Sequence, residues 1–410
     1  MTVTPHFGND GRSGAYRASG VPDGAQVAWI ARTDAPVVAS PVLVGDTLVA
    51  ADVSGAVHAF DARTGEVRWR GALGENGRDG SAEILTAPAV WNSWIFVQYE
   101  IGECAIFDLR TGELVRKLDH DGCPTVIGDL LLLHTLEEVC AFGLPDLKPR
   151  WRTREATGWV QTSPAISEAG IAYAALGNEP HHTHTGVDVF DVNRGELLTS
   201  VGDGDITFPG DSLDEDEEDE ESSHDDEQVV YFAQAHAVLA EERVWMPVYR
   251  AEEDWTAQIV GLDPQTGEQI WGYLPDPGRD NEVDSAVAVS DGTVYVVEIL
   301  RDTPPEQDSA RLHAVDIATG RPRWIRSFGS CAGSPVVAGR AVYVATSAGT
   351  VSAFDTVTGE QRWTAEIGEE ILHPCYVDDF GDQYHEHGLA VLPGDGVLYV
   401  RTSAGVVAMR

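Results

Sequence analysis

The chain has 410 residues, of which 67 are acidic and 27 are basic, so its formal net charge is −40 at pH 7. Such a charge repels polyanions, which excludes nucleic acid and an anionic membrane surface as partners. No apolar run approaches the roughly 18 residues of a spanning helix and the N-terminus carries no cleavage pattern, so we expect a cytoplasmic protein without a membrane span.

The acidity indicates a habitat rather than a mechanism. Lys117 and Lys148 are the only lysines, arginine supplies the other basic side chains, and carboxylates are scattered over predicted turns. In molar salt the Debye length falls to about 3 Å, which screens the repulsion among so many like charges. In these respects the composition resembles that of proteins from halophilic archaea.

The first predicted strand, Gln26–Arg32, follows an extension, residues 1–24, that matches no repeat. A hairpin comes next at Ser40–Ala51, and a second at Val57–Trp69 with the sequence VHAFDARTGEVRW. In its Asp-x-x-Thr-Gly turn the Asp can accept a hydrogen bond from the amide two residues on, and the Gly can supply a positive φ. Two such hairpins make a unit of four short antiparallel strands.

Variants of the second hairpin recur along the chain. They are Ile106–Arg116, Val189–Thr199, Gly261–Trp271, Ala314–Trp324 and Ala353–Trp363, with a degenerate copy at Ala141–Trp151. Four-stranded units of about 40 residues are typical of β-propeller blades. The first hairpins begin near Ala39, Ala87, Pro124, Ser163, Gln234, Ala286, Ser334 and Ala390, which predicts eight blades.

The last unit ends at Arg410 after its third strand, so we expect Gln26–Arg32 to complete it and close the ring. The sequence therefore predicts an all-β fold in which residues 25–410 form a single eight-bladed β-propeller of four-stranded antiparallel blades. Residues 203–228, between blades four and five, contain the acidic run Asp214–Glu221. Because so dense a charge cannot bury apolar surface, this segment is predicted to be a disordered insertion.

The long insertions predict which face of the ring carries function. In a propeller the loop into the first strand of a blade and the loop between its second and third strands emerge on the same face. The long insertions, around blades four, five, six and eight, belong to these two classes. Loops on a rigid scaffold commonly carry binding residues. We therefore expect this insertion-rich face to be the functional one.

Histidines and carboxylates on that face form a candidate metal site. One group lies in the blade-four loop, and the other in the segment that leads into blade eight. Imidazole with carboxylate suits Zn, Mn, Fe or Ni. Because blades four and eight are opposite in an eight-bladed ring, only loops that fold inward could join the groups; otherwise they are solvated polar loops. The candidate ligands are His181, His182, His184, Asp378, Asp379, His385 and His387.

The recurring AFD-x-x-TGE-x-x-W pattern resembles the pyrroloquinoline-quinone (PQQ) repeat, or quinoprotein-like, propeller family. The resemblance covers about residues 25–410. The family includes quinone-dependent alcohol and glucose dehydrogenases and also the non-enzymatic scaffold lipoprotein of bacterial outer-membrane assembly. Its enzymes use adjacent cysteines, a tryptophan platform, a bound calcium or lanthanide and an Asp base. The five cysteines here are all separated and no such set is found, so no catalytic residue is assigned.

Two functions stay open from the sequence. The first is a non-catalytic binding or scaffold propeller, with no cofactor expected, that contacts an unidentified protein or a small polar ligand through its insertion-rich face. The alternative is an oxidoreductase that binds PQQ or a divalent metal at the channel mouth. In a third possibility the ring only stabilises a larger assembly.

Overall fold

The structure, a computed structural model, describes residues 8–9, 12–72, 84, 86–99, 103–120, 122–134, 138–153, 163–176, 186–202, 229–232, 237–251, 255–275, 281–283, 285–300, 309–330, 332–372, 375–377, 383–385 and 389–410. Regular structure in these ranges consists of β-strands. None of the described residues forms a helix long and apolar enough to cross a bilayer.

The strands form the eight predicted blades around a channel. Two strands precede blade one: β1 Ala15–Tyr16 and β2 Val27–Arg32. Blade one consists of β3 Val42–Val44, β4 Thr47–Ala51, β5 Ala56–Asp61 and β6 Val67–Ala72, and blade two of β7 Ala89–Trp91, β8 Trp94–Tyr99, β9 Glu103–Asp108 and β10 Leu114–Leu118. Blade three consists of β11 Cys123–Ile127, β12 Leu130–His134, β13 Val139–Gly143 and β14 Lys148–Arg152, and blade four of β15 Ala165–Ile166, β16 Ile171–Leu176, β17 Gly186–Asp191 and β18 Glu196–Gly202.

In blades five and six the innermost strand is interrupted, so that two short strands pair with the second one. Blade five consists of β19 Val229–Phe232, β20 Val238–Ala240, β21 Arg243–Ala251, β22 Trp255–Leu262 and β23 Gln269–Tyr273. Blade six consists of β24 Asn281–Glu282, β25 Ala288–Ser290, β26 Thr293–Leu300, β27 Ser309–Asp316 and β28 Arg321–Phe328. Blade seven consists of β29 Val336–Ala338, β30 Ala341–Thr346, β31 Thr350–Asp355 and β32 Gln361–Glu366. A separate hairpin, β33 Cys375–Val377 with β34 Gln383–His385, precedes β35 Val391–Gly394, β36 Val397–Thr402 and β37 Gly405–Met409.

The predicted closure of the ring is confirmed. Strand β2 pairs antiparallel with β37, from Val27 opposite Met409 to Arg32 opposite Gly405. Beyond this ladder, Gln26 and Arg410 exchange both backbone hydrogen bonds, at 2.8 and 2.9 Å. Blade eight therefore takes its outer strand from the start of the chain, which leaves β37 without an open edge.

Burial follows from the stacking of the blades. The second and third strands of blade one, β4 and β5, are buried almost throughout, whereas the outer strand β6 alternates between exposed and buried residues. A blade has a neighbour on each side, so its middle strands carry apolar residues on both faces. The core is accordingly spread over the interfaces between blades rather than gathered at one centre.

The repeated turns have the predicted chemistry. Asp61 Oδ1 accepts the amides of Arg63 and Thr64, both at 3.0 Å, and Gly65 has φ +75°. Asp61 Oδ2 lies 2.7 Å from Arg68 Nη2, and these bonds, led by that of Arg68, hold the pKa of Asp61 down to about 2. The same Asp–Arg pair recurs in blades six and seven, as Asp316–Arg323 and Asp355–Arg362. The turn is therefore closed by its own side chains.

The motif tryptophans join neighbouring blades. Trp69 of blade one donates its indole N–H to the carbonyl of Leu109, at 2.8 Å, in the turn of blade two. The ring lies where a Cβ on Gly112 would be, only 2.4 Å from that position. Equivalent indole bonds are Trp151 to Val192, Trp271 to Ile317 and Trp324 to Thr356. The motif indoles therefore pack between neighbouring blades.

Gly112→Ala is expected to destabilise the ring more than Gly45→Ala, although both glycines have a positive φ, +72° and +61°. Nothing lies within 4 Å of a Cβ at Gly45, so that substitution should cost only the backbone term of about 1–2 kcal/mol. At Gly112 the methyl meets the Trp69 ring, which adds about 1–3 kcal/mol of overpacking. Denaturant unfolding measures both variants, and equal losses would contradict the packing role of the indole.

Candidate functional site

The predicted metal ligands lie almost wholly outside the described residues. Only the backbone of His385 is described, at the end of β34, where it pairs with Cys375 of β33. Whether the blade-four and blade-eight groups converge therefore stays a prediction. The ligands outside the described ranges are His181, His182, His184, Asp378, Asp379 and His387.

A buried carboxylate–histidine pair lies at the turn between β4 and β5 of blade one. Asp52 Oδ2 is 2.7 Å from His58 Nε2, and both side chains are buried. Asp52 Oδ1 accepts the Ser54 amide, the Ser54 hydroxyl and the Ala56 amide, at 3.0, 2.6 and 3.1 Å. Burial raises the pKa of Asp52, but the hydrogen bonds from His58, Ser54 and Ala56 together lower it by more than burial raises it. The pKa therefore lies below its ordinary range.

The exposed carboxylate of Asp34 lies beside this pair, and ligand atoms of Asp34, Asp52 and His58 fall within 4.8 Å of one another. Asp34 Oδ2 accepts a hydrogen bond from Arg70 Nε at 2.6 Å. Because donors engage both oxygens of Asp52 and Oδ2 of Asp34, the group functions as a hydrogen-bond network at this turn.

A second buried pair lies in blade six and extends into blade five. His313 Nε2 of β27 is 2.9 Å from Glu298 Oε2 of β26, and His313 Nδ1 is 2.9 Å from the hydroxyl of Tyr273 in β23. Because a carboxylate only accepts, Nε2 carries the proton and Nδ1 accepts from the tyrosine. Glu298 and His313 are both 0% exposed, and Arg311 Nη1 approaches the same Glu298 oxygen at 3.6 Å.

Sequence reasoning missed both pairs, although a signal was present. His58 and His313 each stand three residues before the motif Asp, in VHAFD and LHAVD, where other copies have Ala105, Cys140 or Ser352. Fully buried side chains cannot reach a substrate, so these pairs tie the second and third strands of their blades together. Their chemistry is structural.

The channel holds part of the N-terminal extension, for which the sequence predicted no role. Arg12 is 6% exposed; its Nε donates to the Pro164 carbonyl at 2.8 Å and its Nη2 to Thr125 Oγ1 at 3.4 Å. Thr125 lies in β11 of blade three, and Pro164 directly precedes β15 of blade four. The guanidinium is therefore fixed by inner parts of two neighbouring blades.

The following residues bind the other side of the ring. The carbonyls of Ser13 and Gly14 accept the amides of Val289 and Val337, at 2.7 and 2.9 Å, in blades six and seven. Strand β1 then pairs in parallel with β29, the innermost strand of blade seven. The segment thus crosses the channel from blades three and four to blade seven, because blades three and seven are opposite in the ring.

The segment leaves the channel beneath blades seven and eight. The amide of Gly20 donates to the carbonyl of Gly394 at 3.1 Å, and the amide of Val21 donates to the Tyr343 hydroxyl at 2.9 Å. Trp363 of blade seven donates its indole N–H to the Val21 carbonyl at 2.8 Å. Blade eight lacks an Asp-x-x-Thr-Gly turn, and Val21 supplies the acceptor that this turn provides elsewhere.

The described channel residues do not fit a quinone cofactor with its metal. The inner strands carry mainly Val, Leu and Ala, as in β3, β29 and β35. Arg12, the cation described inside the channel, is bonded to the chain's own carbonyl and hydroxyl groups. Burial raises the pKa of the Cys104 thiol to about 12, so this cysteine behaves as a small core residue.

Comparison with solved structures identifies the same architecture. A quinohemoprotein alcohol dehydrogenase from Comamonas testosteroni superposes with a TM-score of 0.67 at 15% identity, over 99% of this chain and 80% of the enzyme. BamB from Moraxella catarrhalis gives a TM-score of 0.63 at 13% identity, over 94% of this chain and 97% of BamB. At such identities the likeness shows the fold alone.

A sequence relative and a family match complete the comparison. Serine/threonine-protein kinase AfsK of Streptomyces griseus is 32% identical over 122 residues, which are 28% of this chain and 14% of the kinase. The chain thus spans only a small part of that relative. The family described as outer membrane protein assembly factor BamB matches residues 22–153 and 256–410, on both sides of the acidic insertion. The chain therefore belongs to this family of PQQ-like repeat propellers.

Proposed function

We propose that this chain is a non-catalytic binding or scaffold propeller whose insertion-rich face contacts a protein partner. The observation that carries the proposal is the course of residues 12–21, which occupy the channel where the alternative function needs a cofactor. With the channel filled by the chain itself, the outer faces are the surfaces left for a partner. The match to the family of an assembly factor supports the same function.

The opposite face of the ring is less suited to a partner. Its turns use their hydrogen-bond acceptors within the ring. The backbone carbonyl of the residue after each motif Asp accepts an indole N–H or a tyrosine O–H from the preceding blade, as at Leu109 and Thr356. In blade four, which has Thr199 at the motif tryptophan position, Tyr173 makes the equivalent bond and donates to the Pro264 carbonyl at 3.2 Å. Because these turns hold the ring together, we assign partner binding to the other face. We also propose a cytoplasmic location for the protein.

The alternative of a PQQ- or metal-dependent oxidoreductase is tested by a titration. Metal-stripped protein in molar potassium chloride is titrated with PQQ and calcium while quinone absorbance and heat are followed together. We expect no saturable uptake, because Arg12–Gly20 and apolar inner strands occupy the channel. Saturable one-to-one binding would overturn the non-catalytic proposal.

A second experiment tests partner binding by exchanging one loop of the insertion-rich face. Residues 301–308, between β26 and β27, are replaced by the three-residue turn Ser347–Gly349 that joins β30 to β31 in blade seven. A protein that co-purifies with the intact chain should be lost from this variant and retained by Arg63→Ala, which alters an exposed turn residue on the opposite face. Equal loss from both variants would contradict the assignment of the face.

A further inference from the structure

The channel segment, residues 12–21, is bound as a ligand rather than built in as a blade strand. Each of the eight blades has its four strand positions filled without it, including blade eight, which is completed by β2. The segment adds only the two-residue strand β1 to the inner edge of blade seven. Its other polar contacts are individual hydrogen bonds to blades three, four and six, to Tyr343 and Trp363 of blade seven, and to Gly394, Asp395 and Gly396 of blade eight.

Most of these contacts are made by the segment's backbone, which is left-handed at Arg12 and Gly14, with φ +55° and +66°, and extended at Ala15–Tyr16. Val289 and Val337 donate to backbone carbonyls of the segment, and β29 pairs in parallel with β1. Addition of an extended peptide to an exposed strand edge is a general mode of peptide recognition, in which main-chain bonds supply affinity and side-chain pockets supply specificity. The inner edge of blade seven offers such an edge.

Side chains of the segment supply the specificity. Arg12 and Tyr16 are each 6% exposed, so both are anchored inside the ring. Between them, a Cβ on Gly14 would lie 2.7 Å from the Ala288 methyl. The pocket therefore selects arginine, a glycine two positions later, and an aromatic residue two positions after that. Arg17, in contrast, is exposed.

Asp23 and Gly24 form a short tether between the segment and the ring. Asp23 is 93% exposed at its side chain, and nothing lies within 4 Å of a Cβ at Gly24, where φ is +140°. A short tether gives the segment an effective concentration in the millimolar range, so a free peptide cannot compete while the chain is intact. Cutting the tether removes this advantage and leaves both parts of the site in place.

We propose that the channel of this propeller is a peptide-binding site for an Arg-x-Gly-x-aromatic segment, which the chain fills in cis with residues 12–21. The site is separate from the insertion-rich face and stands independently of the function proposed for that face. Once the chain's own segment has left the channel, a partner that presents such a sequence would enter it in the same parallel register against β29.

The test begins with the full-length chain, which carries a protease recognition sequence inserted between Asp23 and Gly24. After cleavage of the folded protein, a fluorescent synthetic peptide of residues 9–23 is added and its anisotropy is followed. We expect saturable one-to-one uptake by the cleaved protein and none by the uncut protein. Arg12→Ala in the peptide should weaken binding at least about tenfold, because it removes charge-assisted bonds inside the channel.

The matched control is the Arg17→Ala peptide, which loses the same charge at an exposed position and should bind within about twofold of the parent. Gly14→Val should abolish uptake, since its side chain meets Ala288. Three results would overturn the proposal: the cleaved ring unfolds as the segment leaves, the emptied and folded ring takes up no peptide, or the Arg12 and Arg17 peptides lose affinity equally.

Discussion

A chain that lacks residues 1–32 is expected to lose the single cooperative unfolding transition of the ring. The deletion removes β2, so β37 is left as an open edge in blade eight. Val407 and Ala408 of β37 are 0% exposed in the closed ring, and the indole of Trp29 covers Gly65 of blade one. Loss of β2 therefore opens both the blade and its contact with blade one. Calorimetry in molar potassium chloride measures the transition.

Two controls separate the seam from chain shortening. A chain that lacks only residues 1–24 keeps β2 and should unfold in one transition, as should a chain in which residues 203–228 are replaced by a short Gly-Ser linker between β18 and β19. If the chain without residues 1–32 melted like these controls, the closure by the N-terminal strand would contribute nothing to cooperativity.

His313→Phe is expected to lower the free energy of unfolding by up to about 3–5 kcal/mol, because it removes the imidazole bonded to a buried carboxylate and leaves that charge less well compensated. The Glu298 carboxylate, 0% exposed, would lose the donor that now lies 2.9 Å away. The double variant Glu298→Leu with His313→Phe should be less destabilised than His313→Phe alone. Tyr273 loses its acceptor in both variants, so their difference reports on the carboxylate.

Urea unfolding measures these variants, and Arg323→Ala provides an exposed comparison. That substitution breaks the Asp316–Arg323 pair, in which the arginine side chain is 36% exposed, and should cost only about 0–1 kcal/mol. A double variant at least as unstable as His313→Phe alone would show that the weakened compensation of the Glu298 carboxylate does not determine the loss.

The N-terminal segment crosses the channel from blade three to blade seven. Because Arg12 to Tyr16 cross the channel, a cofactor placed there would have to displace Arg12 from the Pro164 carbonyl. A protein partner on the insertion-rich face has no such requirement. The fold is shared with dehydrogenases and with an assembly factor alike, so only the chain's own residues bear on this distinction.

The sequence by itself determined the repeat and the number of blades, because turns and strands depend on short-range chemistry, and the seam followed from counting the strands. The Asp-x-x-Thr-Gly turn closes within five residues, as Asp61 and Gly65 show, and the strands on both sides are marked by β-branched residues. The missing last strand of blade eight was visible as a strand left over at Gln26–Arg32. The family followed from the same recurring motif.

Only the tertiary structure decided the path of residues 12–21 and the two buried carboxylate–histidine pairs. The bond from Arg12 to Pro164 joins residues 152 positions apart, and no periodicity in the extension indicates it. Likewise, a histidine at a strand position becomes a buried partner only when the neighbouring blade covers it, as Tyr273 of blade five covers His313 of blade six. Turn chemistry is local and can be read along the chain, whereas burial and channel occupancy depend on which blades the closed ring places side by side.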